Sequence, residues 1–427
     1  MPGSWATVTD FRNNHYVPRW YQERFLPRDA RERKFYYLDL HPDRVTSQGR
    51  SYVRSAIMRW GSRNCFCQRD LYTTRFSSWQ STDIERYFFG DIDRRGRSAL
   101  QYFASFEHPS VNGDALQDLM TYMSVQKLRT PKGLAQLAEL TQLADTNAVL
   151  LAIQKLRQLY GAVWTECVWS IADATNSEVK FLVSDHPVTI YNSACFPASK
   201  YCRGYRDPDV RLTGSHTVFP LDSNKVLILT NLSWVRDPYT SPLIPRPNPT
   251  LLRSAMLNFQ EIQTHRTLSA DEVWEMNLVI KERAFRYVAA AQQEWLYPEK
   301  HVRNAWNRFG RGYLFMPDPR SVVFSTGIVV GYGGGRSDAW DEYGRRPWER
   351  GFRSGAGAAS EWDSFLAFQG EFAPVFGPRR RGRSFNFGQL SPEVDSPEFH
   401  EFHLGLEARH KPRNPVTRRG SRRRRHR

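Results

Sequence analysis

Residues 217–230 read Thr-Val-Phe-Pro-Leu-Asp-Ser-Asn-Lys-Val-Leu-Ile-Leu-Thr. Two short runs dense in apolar and β-branched residues, 217–221 and 225–230, flank Asp222-Ser223-Asn224, whose side chains favour a turn. The stretch is predicted as two strands with the turn between them. Upstream, residues 179–183 (Val-Lys-Phe-Leu-Val) read as a short buried strand, and residues 163–171, rich in Val, Trp and Ile, as another. Near the start, Lys34-Phe35-Tyr36-Tyr37-Leu38-Asp39-Leu40 is read as an aromatic strand closed by the turn signal His41-Pro42-Asp43.

Between these strands the periodicity is helical. Ile84, Phe88, Ile92, Leu100 and Phe103 recur at helical spacing over residues 82–103, with Gly90 and Gly96 weakening the middle. Asp114 is read as an N-cap, followed by Leu116, Leu119, Met120, Met123 and Leu128 on one face. Pro131 ends or kinks that helix, because proline lacks an amide hydrogen and restricts Thr130 before it. A second helix is expected over 134–160, broken or capped near Asp145-Thr146-Asn147. A late helix starts at a Ser269-x-x-Glu272 capping box and is expected to reach about Ala291. The fold class predicted is α+β: a helical N-terminal half packed on a mostly antiparallel or mixed sheet, with a disordered basic C-terminal tail. Residues 1–12 are read as a flexible N-terminus and 13–317 as a single domain. Residues 318–427, rich in Gly, Arg and Pro, are read as a low-order extension with one or two aromatic anchors docking on the body.

Composition excludes several classes. Aromatics make up 14 % of the 427 residues, including 13 Trp, which argues against global disorder. The five cysteines are odd in number, residues 1–10 carry no signal-peptide pattern, and no apolar run approaches the roughly 18 residues that span a bilayer. These features predict a reducing, cytoplasmic or nuclear setting and no membrane partner. Cys65-Phe66-Cys67 lacks the second pair that a zinc site would need. The net charge of +16 is uneven: residues 411–427 hold nine Lys and Arg and no acid. Within that run Arg418, Arg419, Arg422, Arg423, Arg424, Arg425 and Arg427 would neutralise phosphates without reading sequence, or contact an acidic protein. No Walker loop, dinucleotide-binding glycine motif, H-E-x-x-H or G-x-S-x-G is present.

Six short motifs follow one another in order. These are His15-Tyr16-Val17-Pro18; Glu85 and Asp93 on a helix ending in Ala99-Leu100; Gln126-x-x-Arg129-Thr130-Pro131; Ser184-Asp185-His186-Pro187; Phe219-Pro220-Leu221; and Asn277 with Arg286-Tyr287-Val288. Their order and spacing, over about residues 13–290, resemble the family numbered 4238 among the domains of unknown function. The resemblance implies a pattern and no chemistry. Family members usually carry glutamate at the position of Asp93 and often asparagine at the position of His186, and the basic tail lies outside the pattern.

The motif residues bear two readings. His15, Glu85, Asp93, Gln126, Arg129 and Asp185 would form a catalytic set: His15 as base or metal ligand, the carboxylates as metal or water ligands, Arg129 stabilising developing negative charge. A divalent metal would suit the carboxylates, although no specific motif supports one. Each residue also has a structural role open to it. His15 would pin the N-terminal segment, Asp185 would close a turn, and Gln126 and Arg129, three apart on one helix face, would share an ion pair with Asp185, Glu85 or Asp93. Glu85 and Asp93, about two helical turns apart, would sit on one face, either as a pair or beside Arg86, Arg94, Arg95 and Arg97 in solvent. His186, next to Asp185 along the chain, is expected in an exposed or loop position. The first reading is a hydrolase-like enzyme acting on a phosphate-containing or nucleic-acid substrate. The second is a non-catalytic interaction protein with a buried polar network and a basic tail that contacts nucleic acid or an acidic partner.

Overall fold

The computed structural model describes residues 13–376, apart from 28–31, 48–49, 77–78, 108–110, 203–205, 252–261, 303–313, 320–321, 323–327, 333, 342, 351 and 353–354, together with residues 398 and 402. The chain is an α+β protein. Ser215–Pro220 and Lys225–Asn231 pair antiparallel, with Val218 opposite Ile228 and Phe219 opposite Leu227. Asp222 closes their turn by accepting the amides of Asn224 (2.8 Å) and Lys225 (2.9 Å). They lie within a five-stranded sheet ordered Thr189–Asn192, Ser215–Pro220, Lys225–Asn231, Cys167–Asp173, Gln263–Thr267. Every neighbouring pair is antiparallel except the last, which is parallel. Val218 and Phe219, and Leu227, Ile228 and Leu229, are buried at successive positions. Successive strand residues face opposite ways, so both faces of this sheet are covered, which explains unbroken apolar runs instead of alternation.

A second sheet ties distant parts of the chain together. Its order is Val183–Ser184, Tyr287–Ala290, Phe35–Asp39, Ile57–Trp60, antiparallel throughout. Only Val183–Ser184 of the strand predicted over 179–183 enters the ladder. Before it, the amide of Phe181 donates to Ser223 O and that of Leu182 to Asn277 Oδ1, so those groups are satisfied outside any sheet. Residues 163–171 also differ from expectation: Gly161–Thr165 is a helical turn, and the strand starts at Cys167.

The long helices pack beside these sheets. Residues 84–89 (Ile84–Phe89) form a π-helix that runs straight into the α-helix Gly90–Ala104. Gly96 has a packing reason: a Cβ there would meet the Tyr122 ring at 2.6 Å, so the glycine lets Gly90–Ala104 lie close against Gly113–Arg129. That second helix is capped by Asn112, which accepts the amide of Ala115, and not by Asp114, which sits in the first turn where an acid favours the helix dipole. Thr130 ends one helix and caps the next, Pro131–Thr141, whose first residue is the proline. Asp145 caps Thr146–Lys155. The helix from the Ser269 capping box runs Ala270–Arg283 and stops short of Ala291, because residues 287–290 join the second sheet.

The region after residue 318 holds more structure than its composition suggests. Ile328–Tyr332 pairs with Arg336–Trp340, and Gly355–Phe376 is a helix. Phe365 and Phe368 are buried with Leu232, Val235, Met316, Val322 and Tyr343, so the aromatic anchors come from a helix rather than from isolated loop contacts. Residues 1–12 and the arginines from Arg418 to Arg427 lie outside the described residues. Among the described residues, no helix is long and apolar enough to cross a membrane.

Candidate functional site

The second half of Gly113–Arg129 is buried almost all round, so each polar side chain on it needs a partner. Arg129, 1 % exposed, finds two: Nε (2.9 Å) and Nη2 (2.5 Å) donate to Gln126 Oε1, and Nη2 donates to Asp93 Oδ1 at 2.7 Å. The Phe89 and Tyr122 rings lie 5.4 and 5.8 Å from its guanidinium carbon. Gln126 in turn donates from Nε2 to Tyr16 O (2.8 Å), joining the helix to the His-Tyr-Val-Pro segment. The Tyr72 hydroxyl donates to Arg129 O (2.9 Å). Asn14 donates from Nδ2 to Glu85 and accepts the amide of Tyr72.

The electrostatics follow from burial. Desolvation pushes the Asp93 carboxyl up while Arg129 pulls it down, and the net direction is up. Glu85 is raised to about 7, first by burial and with a contribution from Asp93, against the pull of Arg129. Burial works against the Arg129 cation, but Asp93 and the nearby phenols outweigh it, so Arg129 is held above its usual range. The structure thus brings Glu85, Asp93, Gln126 and Arg129 into one network.

His15 and Asp185 lie apart from it. In the strand Asn13–His15, Asn14 faces inward to Glu85, so its neighbour His15 points the other way. His15 Nε2 is 3.0 Å from Arg63 O, and burial lowers its pKa. Asp185, 2 % exposed, accepts three main-chain amides: Phe285 on Oδ1 (2.8 Å), and Arg286 (2.6 Å) and Tyr287 (2.8 Å) on Oδ2. Even so, burial raises its carboxyl to about 6. Those amides follow the end of Ala270–Arg283 and open the strand Tyr287–Ala290, so Asp185 acts as a clasp across the chain. No three His, Cys, Asp or Glu among the described residues are grouped to hold a metal ion.

A second cluster contains residues that the sequence reading did not select. His186 is fully buried, contrary to the exposed or loop position expected. Val183–Ser184 leaves the sheet immediately before it, so strand alternation no longer governs where it points. His186 Nδ1 lies 2.7 Å from Thr130 Oγ1, and Nε2 lies 3.0 Å from Asp207 Oδ2 and 3.2 Å from Lys127 Nζ. Lys127 donates to Asp207 Oδ2 (2.5 Å) and Val188 O (3.3 Å). Lys132 donates to Asp207 Oδ1 (2.6 Å) and Arg283 O (2.7 Å). Burial, and then Lys127, lower His186 to about 3, so the ring is neutral. The Asp207 carboxylate can only accept, which assigns the ring proton to Nε2; Nδ1 is then left to accept from the Thr130 hydroxyl, which itself accepts the amide of Gly133 (3.1 Å). The sequence signal for this cluster is the pair of lysines five apart on either side of Thr130-Pro131, and nothing in the polar run around them marks them as buried.

An α+β fold whose short polar motifs cross-link its two halves defines the class of this chain. A family model described as "Protein of unknown function (DUF4238)" matches residues 13–294, and the chain belongs to that family. No curated protein and no solved structure matches it.

Proposed function

We propose that this chain is a non-catalytic interaction protein, whose motif residues hold the folded body together and whose basic C-terminal run binds nucleic acid. The observation that carries this reading is how the motif side chains are used. The Asp185 carboxylate is taken up by three main-chain amides, and the Arg129 guanidinium is enclosed with Gln126 and Asp93. Both groups are engaged within the chain, and His15 contacts Arg63 O instead of joining either of them. The capacity to bind a polyanion then rests with residues 411–427, where nine cations stand without an acid.

The test compares the full chain with a deletion of 411–427, binding duplex nucleic acid over a range of salt. The full chain should lose affinity with a log–log slope of at most about −8, the limit if all nine cations replace counterions. The deletion should remove most of the binding and flatten the slope. Unchanged binding after deletion would overturn the proposal, and capture of an acidic protein in preference to nucleic acid would reassign the partner.

The hydrolase-like reading keeps one support: the half-buried Glu85, raised to about 7 beside Arg129. If it holds, Glu85→Gln abolishes a phosphodiesterase or phosphatase activity that the full chain shows with divalent metal. Absence of such activity in the full chain removes it.

A further inference from the structure

The Lys127–Lys132–His186–Asp207 cluster gathers three donors onto one carboxylate, more than a purely structural ion pair would need. Lys127 and Lys132 have side chains only 4 % exposed, and both direct their ammonium groups at one carboxylate, that of Asp207. Among the described residues neither makes a contact ion pair with another carboxylate, and the neutral His186 adds a third donor and no charge. Two buried ammonium groups thus rest on a single contacting carboxylate, with the Asp185 carboxylate acting on Lys132 at longer range, and buried charge is costly unless closely paired. Removing either lysine would leave a neutral pair.

The two sides of the cluster are also built differently. Lys127, Thr130 and Lys132 stand at the corner between two packed helices, where Gly133 lies so close beneath that a Cβ would strike Lys127 O. His186 follows the buried Val183–Ser184 strand. Asp207 instead comes from the irregular run 206–209, and its side chain is buried although the residue as a whole is only half-buried. Its neighbour Arg206 is held by an ion pair with Glu139 in which both side chains are more than half exposed, an anchor of little strength.

We propose that Lys127, Lys132 and the Nε2–H of His186 form a binding site for a phosphate group, with the Asp207 carboxylate standing in for that group in this structure. A phosphate dianion would set two negative charges against the two ammonium groups, where the Asp207 carboxylate sets one. Its three terminal oxygens match the three donors, which now crowd onto two oxygens: Lys127 and His186 on Oδ2, Lys132 on Oδ1. The ligand class is a small phosphorylated molecule that displaces Asp207 outward. This site is independent of the basic tail.

The experiment uses the full chain as wild type, Asp207→Asn, and Asp207→Asn combined with Lys132→Met. Each is titrated with inorganic phosphate, glycerol phosphate and sulfate at matched ionic strength, and followed by melting temperature and calorimetry. The tail is common to all three, so differences between them report the cluster. Asp207→Asn should bind phosphate at least tenfold more tightly than wild type and melt higher in its presence, and Lys132→Met should erase both effects. Tighter binding of glycerol phosphate than of phosphate assigns the site to a phosphomonoester, and the reverse to free phosphate. A folded Asp207→Asn that responds to phosphate as the wild type does overturns the proposal. If Asp207→Asn fails to fold, Lys132→Met alone decides, since it leaves a balanced Lys127–Asp207 pair. Wild-type binding at tens of millimolar phosphate that this variant loses supports the site, and equal or absent binding overturns it.

Discussion

Glu85 holds the most easily altered charge in the Arg129 network. Its folded carboxyl is raised to about 7, chiefly by burial, while an unfolded glutamate titrates near about 4.3. The folded chain therefore binds this proton more tightly than the unfolded one. The contribution to stability is complete below about pH 4.3 and is lost as pH rises through about 7. Glu85→Gln keeps an oxygen to accept from Asn14 and cannot ionise. The variant should come close to the wild type at pH 4 and exceed its stability at pH 8 by about 1–2 kcal/mol, after discounting for the partial exposure of Glu85. Denaturant midpoints at the two pH values check this; a gap of the same size at both would mean that another group titrates. At this scale the sequence revealed part of the site. A buried arginine requires an anion, and Asp93 was among the three carboxylates named for Arg129. Asp207 was beyond reach, because it meets Lys127 across 80 residues from a segment with no periodicity to place it.

The elements are bounded by groups far away along the chain. The run from Val273 to Ala291 continues to look helical because its last residues are largely alanine, and nothing local marks a stop except the change at Ala284, whose ψ of 155° leaves the helix. The stop comes from Asp185, about 100 residues earlier, which takes the next three amides and hands the chain to the second sheet. Periodicity reads neighbours, so it found the capping box at Ser269 and missed this end. Asp185→Asn keeps one acceptor oxygen for three donors and replaces the other with a donor facing an amide. The expected cost is about 2–4 kcal/mol, since hydrogen bonds to a charged group are worth roughly 1.5–3 kcal/mol each and unsatisfied buried amides add to the loss. Urea unfolding measures it, and hydrogen exchange at residues 285–287 should quicken in parallel. A variant as stable as the wild type that had lost a measured activity would instead return Asp185 to a catalytic role.

Over the whole molecule, stability and proposed binding fall to different parts of the sequence. The motif-bearing region is held by two sheets, one of which joins residues 35–39 to residues 287–290, and by a core that includes residues from Tyr16 to Phe315. The helix Gly355–Phe376 extends this structure beyond the family match, with Phe365 and Phe368 buried against Leu232, Val235 and Tyr343. Composition hid that helix: Gly, Ala and Ser dominate its first turns, and its two anchors are three residues apart in a region where the arginine and glycine content dominates the reading. Phe368→Ala should cost about 3–5 kcal/mol if the helix unfolds together with the body, because a fully buried aromatic is removed. Deleting 411–427 removes charge and none of the buried groups described, so its melting temperature should equal that of the full chain while its nucleic-acid binding falls. The paired result separates the two roles. A melting temperature lowered by the deletion would place the basic run on the folded body as a structural strap, and its cations would then be engaged within the chain rather than available to a partner.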